Sequence, residues 1–479
     1  MPPAAPLNRA AVGAFHYHTY SYPGDAAAGP FALGAGPLPA AIPLYSLVQD
    51  LNGLQAWGAF TGVPNIAVNT IAAHPGIAGG AQTIGGRDTI MLSMGPGVGV
   101  VNAPAVVITG GVHAREWIAI EFVYLLAEYL VKNYTNIPVN RYQRMIKSLV
   151  DSRRIYIIPM LNPDGNNQTV FGIGPVTRMW RKNMRVLPAT PAAWVALLTN
   201  GLPPGNNNPP PFQNVVNPGG GLDATYDVPT YDPDNALLPP ANWNNRDLPN
   251  NITGVDPNRN CTTPAWGYDG QVFPPIVPAP VPSGAWNPTQ DPYFGPAVAS
   301  EVETTNLQAA LAHAAAAPGI STSIDYHSYG GQILYPSETA HNGAVGPDYT
   351  VLGMTLRQLV SYPGANAYRL GTPREIINAD ATATIIDRAA QAHQSRAFTI
   401  ELDPWNAPGV PLAAAGFQLN ENQIMTVFEK NIRGALAALA APGHPANWFT
   451  AYFQAFPMAW NMLQFMTWDV VGRGNQLPL

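Results

Sequence analysis

Gly110-Gly111-Val112-His113-Ala114-Arg115-Glu116-Trp117 is the stretch on which both the fold and the chemistry turn. It follows Pro104–Thr109 (PAVVIT), a short β-branched run that stops at two glycines and so reads as a buried strand ending in a turn. From Glu116 to Tyr134 the period changes to that of a helix. Ile118, Phe122, Leu125, Leu126 and Tyr129 share one face, and Glu128 can pair with Lys132 one turn on. A histidine and a carboxylate three residues apart, where a strand gives way to a helix, can face one point. Nitrogen and oxygen donors of that kind suit Zn²⁺, whose catalytic sites take three protein ligands and leave one position for water. Alone, the pattern equally fits a loop histidine beside a helix-starting glutamate. A third ligand has to come from elsewhere in the chain.

Working outward, residues 43–59 carry apolar positions at helical spacing and Asp88–Met94 reads as a strand. Ile155–Met160 is a second buried strand, followed by the turn-like Asn162-Pro163-Asp164-Gly165. Further strands are expected at Ser323–Tyr326, Gln332–Tyr335 and Ala397–Leu402, and helices at Ala299–Ala315 and Asn420–Ala440. Strands alternating with helices predict an α/β domain with a mixed, largely parallel central sheet flanked by helices. Residues 187–252, dense in Pro, Asn and Gly, and 268–292, dense in Pro, are too long for ordinary connections, so they are expected as surface insertions. The organisation is an irregular arm over 1–40, a catalytic domain over 41–442, and an extension over 443–479. In that extension Phe449, Tyr452, Phe453, Phe456 and Trp460 follow helical spacing, a stripe suited to capping the domain or to self-association.

Composition removes several function classes. Of 479 residues 47% are hydrophobic, enough for a large core, and only 11% are charged. The net charge of −6 argues against a nucleic-acid partner, which would select a basic footprint. The single cysteine, Cys261, excludes an intramolecular disulfide framework and a cysteine-built zinc site; it reads as a buried, inert thiol. Pro445–Trp468 is apolar but broken by Pro457, Asn461 and glutamines, which makes it a poor membrane span. No signal peptide is visible at Met1-Pro-Pro-Ala-Ala-Pro. His16 and His18, in FHYHTY, read as part of an aromatic-rich surface arm.

Three further segments carry chemistry. His327 follows Ser323–Tyr326 and opens His-Ser-Tyr-Gly, so it can bring a ligand to another strand's end. Glu401, in FTIEL, is a carboxylate in an apolar strand, either paired with an arginine or tuned as a general base. Asn258-Arg259-Asn260 offers an amide and a guanidinium fork suited to a carboxylate.

In this order and combination the segments resemble the zinc carboxypeptidases of the carboxypeptidase A type. The matches include HAREW (113–117), NPDG (162–165), RMWRKN (178–183), GVDPNRN (254–260), PYFGPAVASEVE (292–303), HSYG (327–330) and FTIEL (398–402). The resemblance implies one Zn²⁺ held by His113, Glu116 and His327, with Asp256 orienting the His113 ring. It makes Glu401 the group that takes the attacking water's proton and Arg181 the stabiliser of the oxyanion. Asn258 and Arg259 would grip the C-terminal carboxylate of a peptide or protein, and a secreted, extracellular exopeptidase is implied.

By the same resemblance Asp387 falls at the base of the specificity pocket and Ile386 beside it, which implies apolar or aromatic C-terminal residues unless Arg374 enters the pocket. There is a departure. The family's mobile tyrosine would fall at Ala379 or Asn378, neither a tyrosine, and Tyr368 comes too early. Two other readings stay open. One is the same metal site turned on another amide, such as a cell-wall peptide; the other is a self-assembling structural protein built on this fold.

Overall fold

The computed structural model describes residues 17–20, 45–100, 102–171, 180–185, 254–264, 266, 294–336, 347–360, 368–377, 381–402, 417 and 423–441. The two expected insertions, the aromatic extension and most of the N-terminal arm lie outside them. In chain order the elements are β1 (His18–Thr19), β2 (Tyr45–Ser46), α1 (Leu47–Thr61), β3 (Ala67–Thr70), β4 (Ile90–Met94) and β5 (Ala105–Gly110). Then come α2 (Trp117–Asn133), α3 (Arg141–Ser152), β6 (Arg154–Ile158), α4 (Pro163–Phe171), α5 (Val302–Ala314), β7 (Ile320–Ser328) and β8 (Gln332–Leu334). The last are α6 (Pro347–Val360), β9 (Arg369–Gly371), α7 (Pro373–Ile377), α8 (Ile385–His393), β10 (Arg396–Leu402) and α9 (Ile424–Ala440).

Eight strands form one sheet in the order β3-β4-β6-β5-β7-β10-β8-β9. Its centre, β6-β5-β7-β10, is parallel throughout, with antiparallel pairs at β3–β4, β4–β6 and β10–β8. The expected mixed, largely parallel sheet is the one observed. Burial on both faces explains the near-continuous apolar runs of β5 and β6. Along β5, Val106 and Ile108 enter the core on the α2 side, while Ala105 and Val107 enter the core under α5 and α8. Each fully buried valine or isoleucine among them contributes about 1.5–3 kcal/mol.

The expected helix after Glu116 forms as α2, but its burial is not one-sided: every residue from Trp117 to Val131 is buried. The sheet covers one flank and α1, α3, α9 and β1 cover the rest. Its two acidic residues are matched accordingly. Glu128 meets Lys132 at 2.6 Å, and Glu121 meets His18. That second pairing corrects the surface reading of His18. Residues 17–20 are buried, β1 pairs with β2, His18 Nδ1 lies 2.8 Å from Glu121 Oε2, and His18 Nε2 lies 3.0 Å from Asp50 Oδ2. The turn expected at 162–165 is instead the start of α4. Asn162 Oδ1 accepts from Gly165 N–H at 2.9 Å and caps a helix whose first residue is Pro163, a placement where a missing N–H costs nothing.

Candidate active site

The parallel strands β5, β7 and β10 end on one edge of the sheet, and the chain leaves β5 for β6 on one side while β7 lies on the other. Ligand sites of open α/β sheets form at such a switch point, outside the carboxyl ends of the strands. Gly111, at φ +63°, turns the chain off β5; a Cβ there would sit 2.6 Å from Ile120 Cγ1, so the turn requires glycine. This turn carries His113 and Glu116 over the end of β7, where His327 stands. Register then pairs His327 with Glu401 on β10.

His113, Glu116 and His327 are buried and their donor atoms converge. His113 Nδ1 lies 2.7 Å from Glu116 Oε1 and 3.1 Å from His327 Nδ1, and His327 Nδ1 lies 3.0 Å from Glu116 Oε2. The outward nitrogens are taken up by other carboxylates. His113 Nε2 is 3.3 Å from Asp256 Oδ1, and His327 Nε2 is 2.6 Å from Asp325 Oδ2. Burial resists ionisation of Glu116, yet the charges of His113 and His327 hold its carboxyl well below the usual carboxylate range. Burial also opposes a charged His327, but Asp325 and Glu116 raise its imidazole well above the ordinary value. A buried carboxylate and two imidazoles aimed at one point, each ring fixed from behind, are the donor set and orientation that Zn²⁺ takes. The residues fit the ion.

Sequence comparison agrees with the geometry. Residues 72–434 match the zinc carboxypeptidase family. The chain belongs to it. Among individual zinc carboxypeptidase relatives, the chain is 36% identical over 118 residues to the "Zinc carboxypeptidase" of Saccharothrix mutabilis subsp. capreolus, covering 24% of this chain and 25% of that protein. It is 33% identical over 122 residues to the "Inactive metallocarboxypeptidase ECM14" of Paracoccidioides brasiliensis, covering 25% of this chain and 19% of that one. The chain thus spans a quarter or less of the length of these curated relatives. The fold is that of carboxypeptidase A from Helicoverpa armigera, with a TM-score of 0.51, 19% identity and coverage of 82% of this chain and 73% of that one. It is also that of thrombin activatable fibrinolysis inhibitor, at 0.53, 17%, 83% and 74%.

In this zinc carboxypeptidase fold the cluster of His113, Glu116 and His327 opens into a cavity. His113, Glu116, His327, Arg181, Asn258, Arg259, Ile386 and Glu401 all line it. Glu401 is half-buried rather than buried, because the end of β10 faces the cavity. Asp256 lies directly behind, with Arg181 Nε and one terminal nitrogen each 3.1 Å from its Oδ2. Burial disfavours its charge, but Arg181 and His113 hold it well below the usual range. The Asn258 amide is fixed on two sides: its Oδ1 accepts from Ile385 N–H at 2.9 Å, and its Nδ2 lies 3.3 Å from His327 Nε2.

The apolar residues Leu334, Pro373, Ile377, Ala381 and Ile386 also line the cavity, with Thr384 and Thr399. Tyr329 and Phe417 form an aromatic wall, their rings 4.9 Å apart, and the Arg115 guanidinium lies 4.5 Å above the Phe417 ring.

Asp387 is not among the lining residues. Its carboxylate closes a capping box at the start of α8, accepting from Thr384 N–H at 3.1 Å and from Thr384 Oγ1 at 2.6 Å. Arg374 does not line the cavity either, and Tyr368 is fully buried beneath Lys430. Residues 378–380, where the family tyrosine would fall, lie outside the described residues. Cys261 is buried, as expected. Asp325 was missed by motif reading, although its signal was present: in a strand, residues two apart face the same side, so Asp325 must share a face with His327.

Proposed function

We propose that this protein is a zinc-dependent carboxypeptidase that releases the last residue of peptides or proteins. The observation that carries the reading is the convergence of His113, Glu116 and His327 in one cavity with Glu401 and Arg181. Zinc, when bound, lowers the pKa of water towards about 7 and polarises the scissile carbonyl. Glu401 accepts the proton of the water whose oxygen adds to the carbonyl carbon, then delivers it to the amine nitrogen as the C–N bond breaks. Arg181, anchored on Asp256, faces the developing oxyanion; a positioned donor there is worth on the order of 3 kcal/mol of barrier. Asn258 and Arg259 bind the substrate's terminal carboxylate. The apolar side chains among those lining the cavity, Leu334 and Ile386 included, support a preference for apolar or aromatic C-terminal residues.

Some relatives carry the name "inactive"; the complete donor set and Glu401 in the cavity support catalysis in this one. Hydrolysis of a blocked dipeptide ending in phenylalanine, compared with its C-terminal amide and with the same dipeptide ending in lysine, tests the reading. The free acid ending in phenylalanine should be cut fastest. Preferential cleavage of the amide would overturn the exopeptidase assignment, and preference for lysine would overturn the pocket assignment.

A further inference from the structure

Behind Arg181 and Asp256 lies a buried polar knot that the proposed mechanism does not use. At its centre is Asn183, fully buried. Its Nδ2 donates to Glu301 Oε2 at 2.7 Å and to Glu303 Oε2 at 2.9 Å. Its Oδ1 accepts from Val255 N–H at 2.9 Å and from Arg185 N–H at 3.2 Å, while its own N–H donates to Val255 O at 2.9 Å. Val255 immediately precedes Asp256, and Asn183 stands two residues after Arg181. One amide therefore joins the segment bearing Arg181 to the segment bearing Asp256, and fastens both to the start of α5. The two segments run so close that a Cβ on Gly254 would fall 2.4 Å from Asn183 O.

We propose that Asn183, gripped by the paired carboxyl groups of Glu301 and Glu303, is a positioning residue that sets Arg181 and Asp256 against the metal site. The proposal deepens the carboxypeptidase reading and rests on it for the roles of those two residues. The charge balance of the knot makes the grip conditional. Glu301 is met by Arg185 at 2.8 Å, and Asp164, itself paired with Arg87 at 2.9 Å, faces Glu303 from α4. Burial first, and then the charge of Glu301, pushes the Glu303 carboxyl up to about 8. At neutral pH Glu303 thus keeps its proton, and the amide bridges one charged and one neutral carboxyl. Above that range a second negative charge forms beside the first, and the two repel across the amide they share.

The test measures zinc affinity by chelator competition, together with kcat and KM, from about pH 6 to about pH 10. It compares the wild type with Asn183→Ala and Glu303→Gln. Asn183→Ala should weaken zinc binding about tenfold or more, because Asp256 no longer holds the His113 ring. It should also lower kcat more than it raises KM, because Arg181 acts in the transition state. Glu303→Gln, neutral at every pH, should match the wild type near pH 7 and abolish the wild type's decline in both readouts above about pH 8. Wild-type zinc affinity and kcat in Asn183→Ala, or an unchanged alkaline decline in Glu303→Gln, would overturn the proposal. Should Asn183→Ala fail to fold by circular dichroism, the Glu303→Gln profile decides alone. A wild-type protein that binds zinc but cleaves no peptide sinks the carboxypeptidase reading, and the affinity arm still judges the role of Asn183.

Discussion

The two histidines of the candidate metal site are held from behind by different devices. His113 leans on Asp256, 143 positions away in sequence, and Asp256 is itself clasped by Arg181 and by the Asn183 knot. His327 leans on Asp325, two residues back on the same strand, whose other oxygen accepts from Thr109 Oγ1 at 2.6 Å on β5. The first support spans three separate segments and couples the ring to the group that faces the substrate. The second is built into the register of two parallel strands, β5 and β7. A carboxylate supplied by a strand can only orient its ligand; one supplied by a loop can also relate the ligand to the rest of the catalytic apparatus.

That contrast presupposes that both rings bind the metal, and the largest expected effect tests it. His327→Ala should lose stoichiometric zinc, read by metal analysis, and all measurable turnover; retention of both would dissolve the pairing. Next, Glu401→Gln should bind zinc normally yet lose at least about a hundredfold in kcat, since an amide cannot accept the water's proton. Near-normal turnover would move the base elsewhere. The two supports should then separate in a matched pair of variants. Asp256→Asn and Asp325→Asn should each weaken zinc by about 10–100-fold. Only Asp256→Asn should also depress kcat at saturating zinc, since it releases Arg181. Equal kcat losses in the two would break the comparison.

The smallest effect concerns stability. The folded Glu303 carboxyl is raised from 4.5 to about 8, so between those values the folded chain holds a proton that the unfolded chain has released. Stability from this group is therefore full below about pH 4.5, falls as pH rises, and levels off above about 8. Thermal melts of Glu303→Gln should lack that fall, and parallel curves for variant and wild type would count against it.

What the sequence reveals follows the same division. Strand ends and the helix after Glu116 were legible because period and turn residues are local, and the three ligands because their spacing repeats a known pattern. Asp325 was legible in principle, through the two-residue period of a strand, but one acid between Ile324 and Tyr326 draws no attention when read by motif. The Asn183 knot was legible only as separate pieces: Asn183 ends RMWRKN and Glu301 and Glu303 close PYFGPAVASEVE, but only tertiary packing shows that they are buried together. The burial of α2 on all sides was hidden for a related reason: its glutamates suggested a wet face, and only their partners, Lys132 and His18, show otherwise.

His18 has a consequence for where the folding unit begins. The family match starts at residue 72, and the first forty residues read from sequence as an irregular arm. Yet the imidazole of His18 lies between Asp50 and Glu121, and Glu121 sits in the second turn of the helix that Glu116 precedes. A fragment begun at residue 41 would leave the Glu121 carboxylate buried without that partner, a loss on the order of 3–5 kcal/mol for a buried pair broken on one side. The strain would fall on the helix whose N-terminal end positions a metal ligand. The smallest autonomous piece of this chain should therefore include residues 17–20, outside the region that sequence comparison marks as the domain.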